Sequence, residues 1–193
     1  MDRREFLIPE KTLSPKQDFS RLSRTNSGLL PYSGSWTAAE VRHLLKRTMF
    51  GATRDDINYF LALSPSLAVA ELLELVNHPP YTAPSLPLNN YNATVNDPNC
   101  ALGDPWPGIP DSVGSISTYS SRKKSLKSWW VSQMLNQPRS FREKMVLFWS
   151  NHFVVELDSV SVSTYVYKYN ALLRENALGN FKQLTKDITI DPA

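Results

Sequence analysis

From Trp36 onward the apolar positions of the chain recur at helical rather than strand spacing. Thr37-Ala-Ala-Glu40 has the form of a capping box, in which the threonine hydroxyl accepts from a free first-turn N–H and the glutamate reaches back to the cap. Val41, Leu44, Leu45 and Met49 follow on one face, and Gly51 is the expected stop. Thr53-Arg-Asp-Asp56 opens a second helix carrying Ile57, Phe60 and Leu61. Ser64-Pro65 opens a third, because proline at the first helical position loses no intrahelical bond. Its apolar residues Leu67, Val69, Ala70, Leu72, Leu73 and Val76 run round much of the circumference, which predicts a well-buried helix.

The periodicity lapses between Asn77 and about Tyr119, where most of the prolines collect, including Asp104-Pro-Trp-Pro-Gly-Ile-Pro110. Residues 77–119 therefore read as a long proline-rich insertion, since a loop of this length inside a compact domain is usually functional, disordered or an insertion. Trp106 within it is expected to anchor the loop on the helical body, with an exposed recognition residue as the alternative. Helical spacing returns over Ser120 to Asn136, with Leu126, Trp129, Trp130, Met134 and Leu135 on a broad apolar face. It returns again at Val162, Val166, Tyr169 and Leu173, with Gly179 as the expected stop, and at Phe181, Leu184 and Ile188. The fold class is all-α: a domain of about six to seven helices over 36–193. Residues 1–35, polar with scattered Pro, Ser and Arg, are expected to be a flexible basic N-terminal arm before it.

The segment Ser140-Phe-Arg-Glu-Lys-Met-Val-Leu-Phe-Trp-Ser-Asn-His-Phe153 carries the one candidate for chemistry inside strong structural sequence. Ser140-Phe-Arg-Glu143 reads as another capping box. At about 100° per residue, Phe141, Met145, Phe148 and His152 fall on one stripe, Arg142 and Trp149 lie beside it, and Glu143 and Ser150 point nearly opposite. His152 is thus expected to face the core as a hydrogen-bonded histidine, with metal ligand or catalytic base as the alternative. In that alternative Asn151, Arg142 and Glu143 orient it. Ser150 and His152 do not share a face on a continuous helix, so they do not make a nucleophile and its base. Arg174 and Glu175, beside Asn176, read as surface charges at a helix end, with reach toward Asn151-His152 as the alternative.

Composition narrows the function classes. A chain of 193 residues is long enough for one domain with a real core. Its formal net charge of +3 does not by itself point to nucleic acid. Arg122, Lys123, Lys124 and Lys127 beside Trp129 and Trp130 raise single-strand binding as a weaker option, against a solvated first turn followed by a buried face. The single cysteine, Cys100, excludes an intrachain disulfide framework. With three histidines and no His-Glu-x-x-His, a metal site within the chain needs scattered carboxylates, with His152 the candidate ligand. No cofactor is indicated, and no stretch approaches the roughly 20 apolar residues of a membrane span. Arg3-Arg4-Glu5-Phe6-Leu7 has the twin-arginine part of an export signal without the apolar run that should follow. The compartment is therefore cytoplasmic or, if the chain is exported, the periplasm or cell envelope. Asn92-Ala-Thr94 matches the N-glycosylation acceptor, a common tripeptide.

Trp36-Thr-Ala-Ala-Glu40, His43-Leu-Leu-Lys-Arg-Thr-Met-Phe-Gly51, Phe141 to Phe153 and Ala177-Leu-Gly-Asn-Phe181 together resemble the bacterial family called domain of unknown function 1800. The basic start and Arg24 to Gly34 resemble its Bacteroidetes members, and the match runs from Arg24 to nearly the end. Ser150 stands where that family usually has the first histidine of Phe-Trp-His-x-His-Phe, which weakens a two-histidine site. The family also continues past the equivalent of Asp191-Pro-Ala193, so the chain is expected to be an N-terminal fragment. The resemblance implies a bacterial protein of unestablished activity, whose relatives are often exported and encoded beside a sulfatase-like companion family. It makes a helical envelope-associated or partner-binding protein the first expectation, with Trp106, Trp129 and Trp130 as contacts. A hydrolytic or metal-assisted enzyme using His152 is the second.

Overall fold

Helix ends in the first part of the chain are set by local caps. The computed structural model describes residues 31–90, 97–111 and 116–193. In it α1 (Ala38–Thr48) and α2 (Arg54–Leu61) both start with complete capping boxes, Thr37 with Glu40 and Thr53 with Asp56. The hydroxyl of Ser64 caps α3 (Pro65–Leu72) by accepting from Leu67 N–H at 3.3 Å. Four helices follow: α4 (Ile116–Leu135), α5 (Arg142–His152), α6 (Ser163–Glu175) and α7 (Phe181–Thr189). The protein is thus all-α, with one isolated antiparallel bridge, Leu88 to Pro105, among the described residues. Residues 1–30, which hold most of the expected arm, and Asn92-Ala-Thr94 lie outside the described residues.

Several boundaries differ from the sequence reading. Gly51 does not stop α1: Met49 turns extended (φ −126°, ψ 165°) and sinks its side chain into the core, taking the chain out of the helix two residues earlier. Gly179 does not stop α6 either, since the helix ends at Asn176, whose side-chain amide donates to Leu172 O at 3.1 Å. The insertion ends at α4, which starts at Ile116 rather than Ser120. α3 is only partly buried. Two turns offer one inward face, here Ala68, Glu71 and Leu72, and leave Leu67, Val69 and Leu73 exposed.

The exit from α3 is the most informative turn. Leu75 N–H bonds to Ala70 O and Glu74 N–H to Glu71 O, both at 2.9 Å, which is a Schellman ending. Its left-handed position, φ 59°, is held by Glu74 rather than the glycine that costs nothing there. The carboxylate explains the choice, because it accepts from both Ser140 Oγ and the guanidinium of Arg142. Phe141 N–H adds a bond to Leu72 O at 2.8 Å, so the end of α3 and the start of α5 are tied together.

Among the described residues, apolar burial divides into three clusters. Val41, Leu45, Met49, Phe60, Ala68 and Leu72 fill the α1–α3 junction, with Trp36 and Phe141 packed against them. Val146, Tyr169, Leu173, Ala177 and Leu184 join α5, α6 and α7. Cys100, Trp106, Leu126 and Val166 fix the insertion to α4 and α6. Asp111 completes that attachment: its carboxylate accepts from Ser163 N–H at 2.8 Å, capping α6 from the far side of the chain.

Candidate functional site

The start of α5 is a polar junction. Ser140 Oγ accepts from Arg142 N–H at 3.0 Å, but the expected capping box is not made, because Glu143 turns inward to Arg174. Arg174 Nε and one of its terminal nitrogens donate to the two oxygens of Glu143 at 2.8 and 3.0 Å, a bidentate pair. The other terminal nitrogen donates to Asn170 Oδ1 at 2.6 Å, and the guanidinium lies 4.8 Å over the Trp129 ring. The two side chains are 2% and 9% exposed, so this is an interior ion pair. Arg174 is therefore not a surface charge, and it is held at the opposite end of α5 from Asn151-His152.

Arg142 lies alongside. Besides Glu74, it donates to Arg174 O at 2.7 Å and so satisfies a terminal carbonyl of α6, while its guanidinium sits 4.2 Å over Tyr81. Burial alone raises the Glu74 carboxyl, yet the hydrogen bonds from Arg142 and Ser140 outweigh it and hold the group below its ordinary range. Burial likewise pushes up the Tyr81 phenol. Glu71 is another buried carboxylate here, accepting from Tyr59 OH at 3.0 Å and Asn77 Nδ2 at 2.8 Å, with His78 Nε2 3.8 Å away.

The far end of α5 corrects the angular reading. His152 is exposed, and Phe148, on the same stripe, is 53% exposed. The buried residues of α5 are Glu143 and Val146. The helix has turned its apolar stripe partly outward because the Glu143–Arg174 pair and the α6–α7 cluster fix the other face. Ser150 is half-buried and returns its hydroxyl to Leu147 O at 2.9 Å, so Ser150 and His152 do face different ways, with the inward and outward roles exchanged.

His152 belongs to an aromatic patch. Its ring is nearly parallel to that of Phe148 (8°, centroids 6.3 Å apart) and edge-on to Trp149 and Phe153 at 6.0 and 4.6 Å. Trp149 stacks on Phe181, 54% exposed, at 5.4 Å. Asn151 is exposed beside them. Arg142 and Glu143 are not: with a rise of about 1.5 Å per residue, Arg142 lies about 15 Å from His152 along the axis. The four candidate catalytic residues are thus divided between two ends of one helix. Among the described residues, no group of three or more His, Cys, Asp or Glu side chains is placed to hold a metal ion.

The other candidates are occupied in structure. Trp106 is fully buried, its Nε1–H donating to Ser125 Oγ at 3.2 Å, so it anchors the insertion and is not an exposed contact. Trp129 is half-buried and donates to Ser85 O at 2.7 Å. Trp130 packs on the α5–α7 cluster, its Nε1–H buried and without a hydrogen-bond partner among the described residues. The expected solvated basic turn is also corrected. Arg122 is fully buried and bonded to Asp97, Asp111 and Ile109 O. Lys123 is bonded to Asp158 at 2.7 Å and lies over the Tyr119 ring. Only Lys124 and Lys127 of that group are exposed. Sequence reasoning missed both buried pairs; the presence of Arg174 and Glu143 inside amphipathic helices was the available signal.

The architecture defines the class: an all-α protein with a proline-rich loop pinned to its helices and an aromatic surface patch at one end. The family model described as "Protein of unknown function (DUF1800)" matches residues 43–193, and the chain belongs to that family. No curated protein and no solved structure matches the chain.

Proposed function

We propose that the chain is a helical contact protein associated with the cell envelope, which acts with a sulfatase-like companion through the patch of Phe148, His152 and Phe181. One observation carries the reading. The aromatic and imidazole rings are turned outward together, while Arg142 and Glu143, two of the candidate orienting residues for His152, are held in ion pairs at the other end of α5. Outward-facing large aromatic residues in a contiguous group mark contact surfaces. The envelope and the companion come from the family resemblance.

The test is capture of a purified sulfatase-like companion by the immobilised chain. Phe148→Ser with Phe181→Ser should weaken capture by about 100-fold, taking each half-exposed ring as worth about tenfold on burial. Undiminished capture by that variant contradicts the reading. A turnover abolished by His152→Ala alone, with capture intact, supports the enzyme reading in its place.

A further inference from the structure

A second surface, beyond the aromatic patch, has a different chemistry. Between α6 and α7 runs a groove of about 620 Å³. Leu172 and Ile190 give it an apolar lining, with Ile190 82% exposed. Its charged lining residues are Glu175, Asp187 and Asp191 against the single cation Lys168. Asp187 spends one oxygen on Gln183 Nε2 at 2.6 Å and Asp191 one on Ala193 N–H at 2.9 Å, which leaves an oxygen of each for a partner. The rim is therefore locally acidic on a chain whose net charge is +3. The nine residues of α7 extend about 14 Å, the length of two to three helical turns.

We propose that this groove receives an amphipathic helix whose apolar anchors, at i and i+3 or i+4 spacing, are flanked by lysine or arginine. Apolar anchors would cover Leu172 and Ile190, and the flanking cations would meet the carboxylates on the rim, the helix-in-groove mode of recognition. Charge selects the partner locally: three carboxylates, Glu175, Asp187 and Asp191, against Lys168 attract a basic helix and disfavour an acidic one at this rim.

The experiment uses the full chain and a fluorescein-labelled synthetic helix with leucine at i, i+3/i+4 and i+7 and lysine at the flanking positions. A second peptide has the same leucines and glutamate for every lysine. Fluorescence anisotropy should show the lysine peptide binding about tenfold more tightly, since glutamate replaces two surface attractions, each worth up to about 1 kcal/mol, with repulsions. Asp187→Lys with Asp191→Lys should reverse that preference, and Ile190→Asp should weaken both peptides. Phe148→Ser with Phe181→Ser should leave peptide binding unchanged. Equal binding of the two peptides, unchanged preference in the charge-reversed variant, or no binding of either peptide overturns the proposal. Companion capture measured in parallel separates the two ideas. Peptide failure with companion capture intact removes the groove alone, and loss of capture with peptide binding intact removes the patch alone.

Discussion

Removing one partner of the Glu143–Arg174 pair is the sharpest perturbation of the fold. Arg174→Met keeps most of the side-chain volume and leaves Glu143 charged, 9% exposed and without its bidentate partner. Breaking a buried pair from one side costs about 3–5 kcal/mol, because the remaining charge keeps its desolvation penalty without compensation. Asn170 Oδ1 loses its donor as well, and Trp129 its cation, so the upper half of that range is expected. A typical domain has about 5–15 kcal/mol in all. The variant should therefore lose about a quarter or more of its stability, a fall of roughly 8–20 °C in Tm at about 2–4 °C per kcal/mol. Glu143→Leu combined with Arg174→Met should recover most of the loss, since two apolar residues bury no charge. The assay is urea denaturation followed by tryptophan fluorescence, with the slope compared to establish that the unfolded state is unchanged. A loss under about 1 kcal/mol for Arg174→Met is the value of an exposed pair and would refute the interior placement.

The outward turn of α5 predicts that Val146→Ala costs about 1.5–2 kcal/mol while Phe148→Ser changes stability by less than about 0.5 kcal/mol, read from urea midpoints; the opposite order would restore the predicted stripe. Trp106→Ala should cost about 3–5 kcal/mol and increase proteolysis within 84–111, because the residue is fully buried at the attachment of the insertion. Glu74 sets a pH dependence. Its folded pKa lies below the ordinary 4.5, so its contribution is present above pH 4.5 and is lost as pH falls through the lower folded value. Glu74→Gln should flatten that acid limb in thermal melts between about pH 5 and 3. Glu74→Gly should still be destabilising although it relieves the left-handed backbone, since Arg142 loses its carboxylate.

What was legible in the sequence was local. Thr37, Thr53 and Ser64 sit within three residues of the groups they cap, and the stripe Val166, Tyr169, Leu173 is buried as its spacing indicates. The DUF1800 membership was legible too, through motifs at the start of α1, along α5 and between α6 and α7. The facing of α5 was not. An apolar count places Phe148 and His152 inward, and that count fails where the decisive inward residue is a glutamate whose partner lies 31 positions away. The same holds for Arg122, which belongs by sequence to a solvated turn and by structure to Asp97, 25 positions earlier. Burying a cation depends on where a distant carboxylate arrives, and periodicity has no access to that. Gly51 and Gly179 failed as stops because side chains nearby, the buried Met49 and the capping Asn176, ended the helices first.

The contact reading rests on the outward ring cluster at the end of α5, and hydrogen–deuterium exchange with and without a purified sulfatase-like companion tests it most directly. The account predicts protection of backbone amides over residues 148–154 and 181–184 on binding, with 84–111 unchanged. Protection centred on the proline-rich loop, or no change at the end of α5 while the companion is bound, would contradict it.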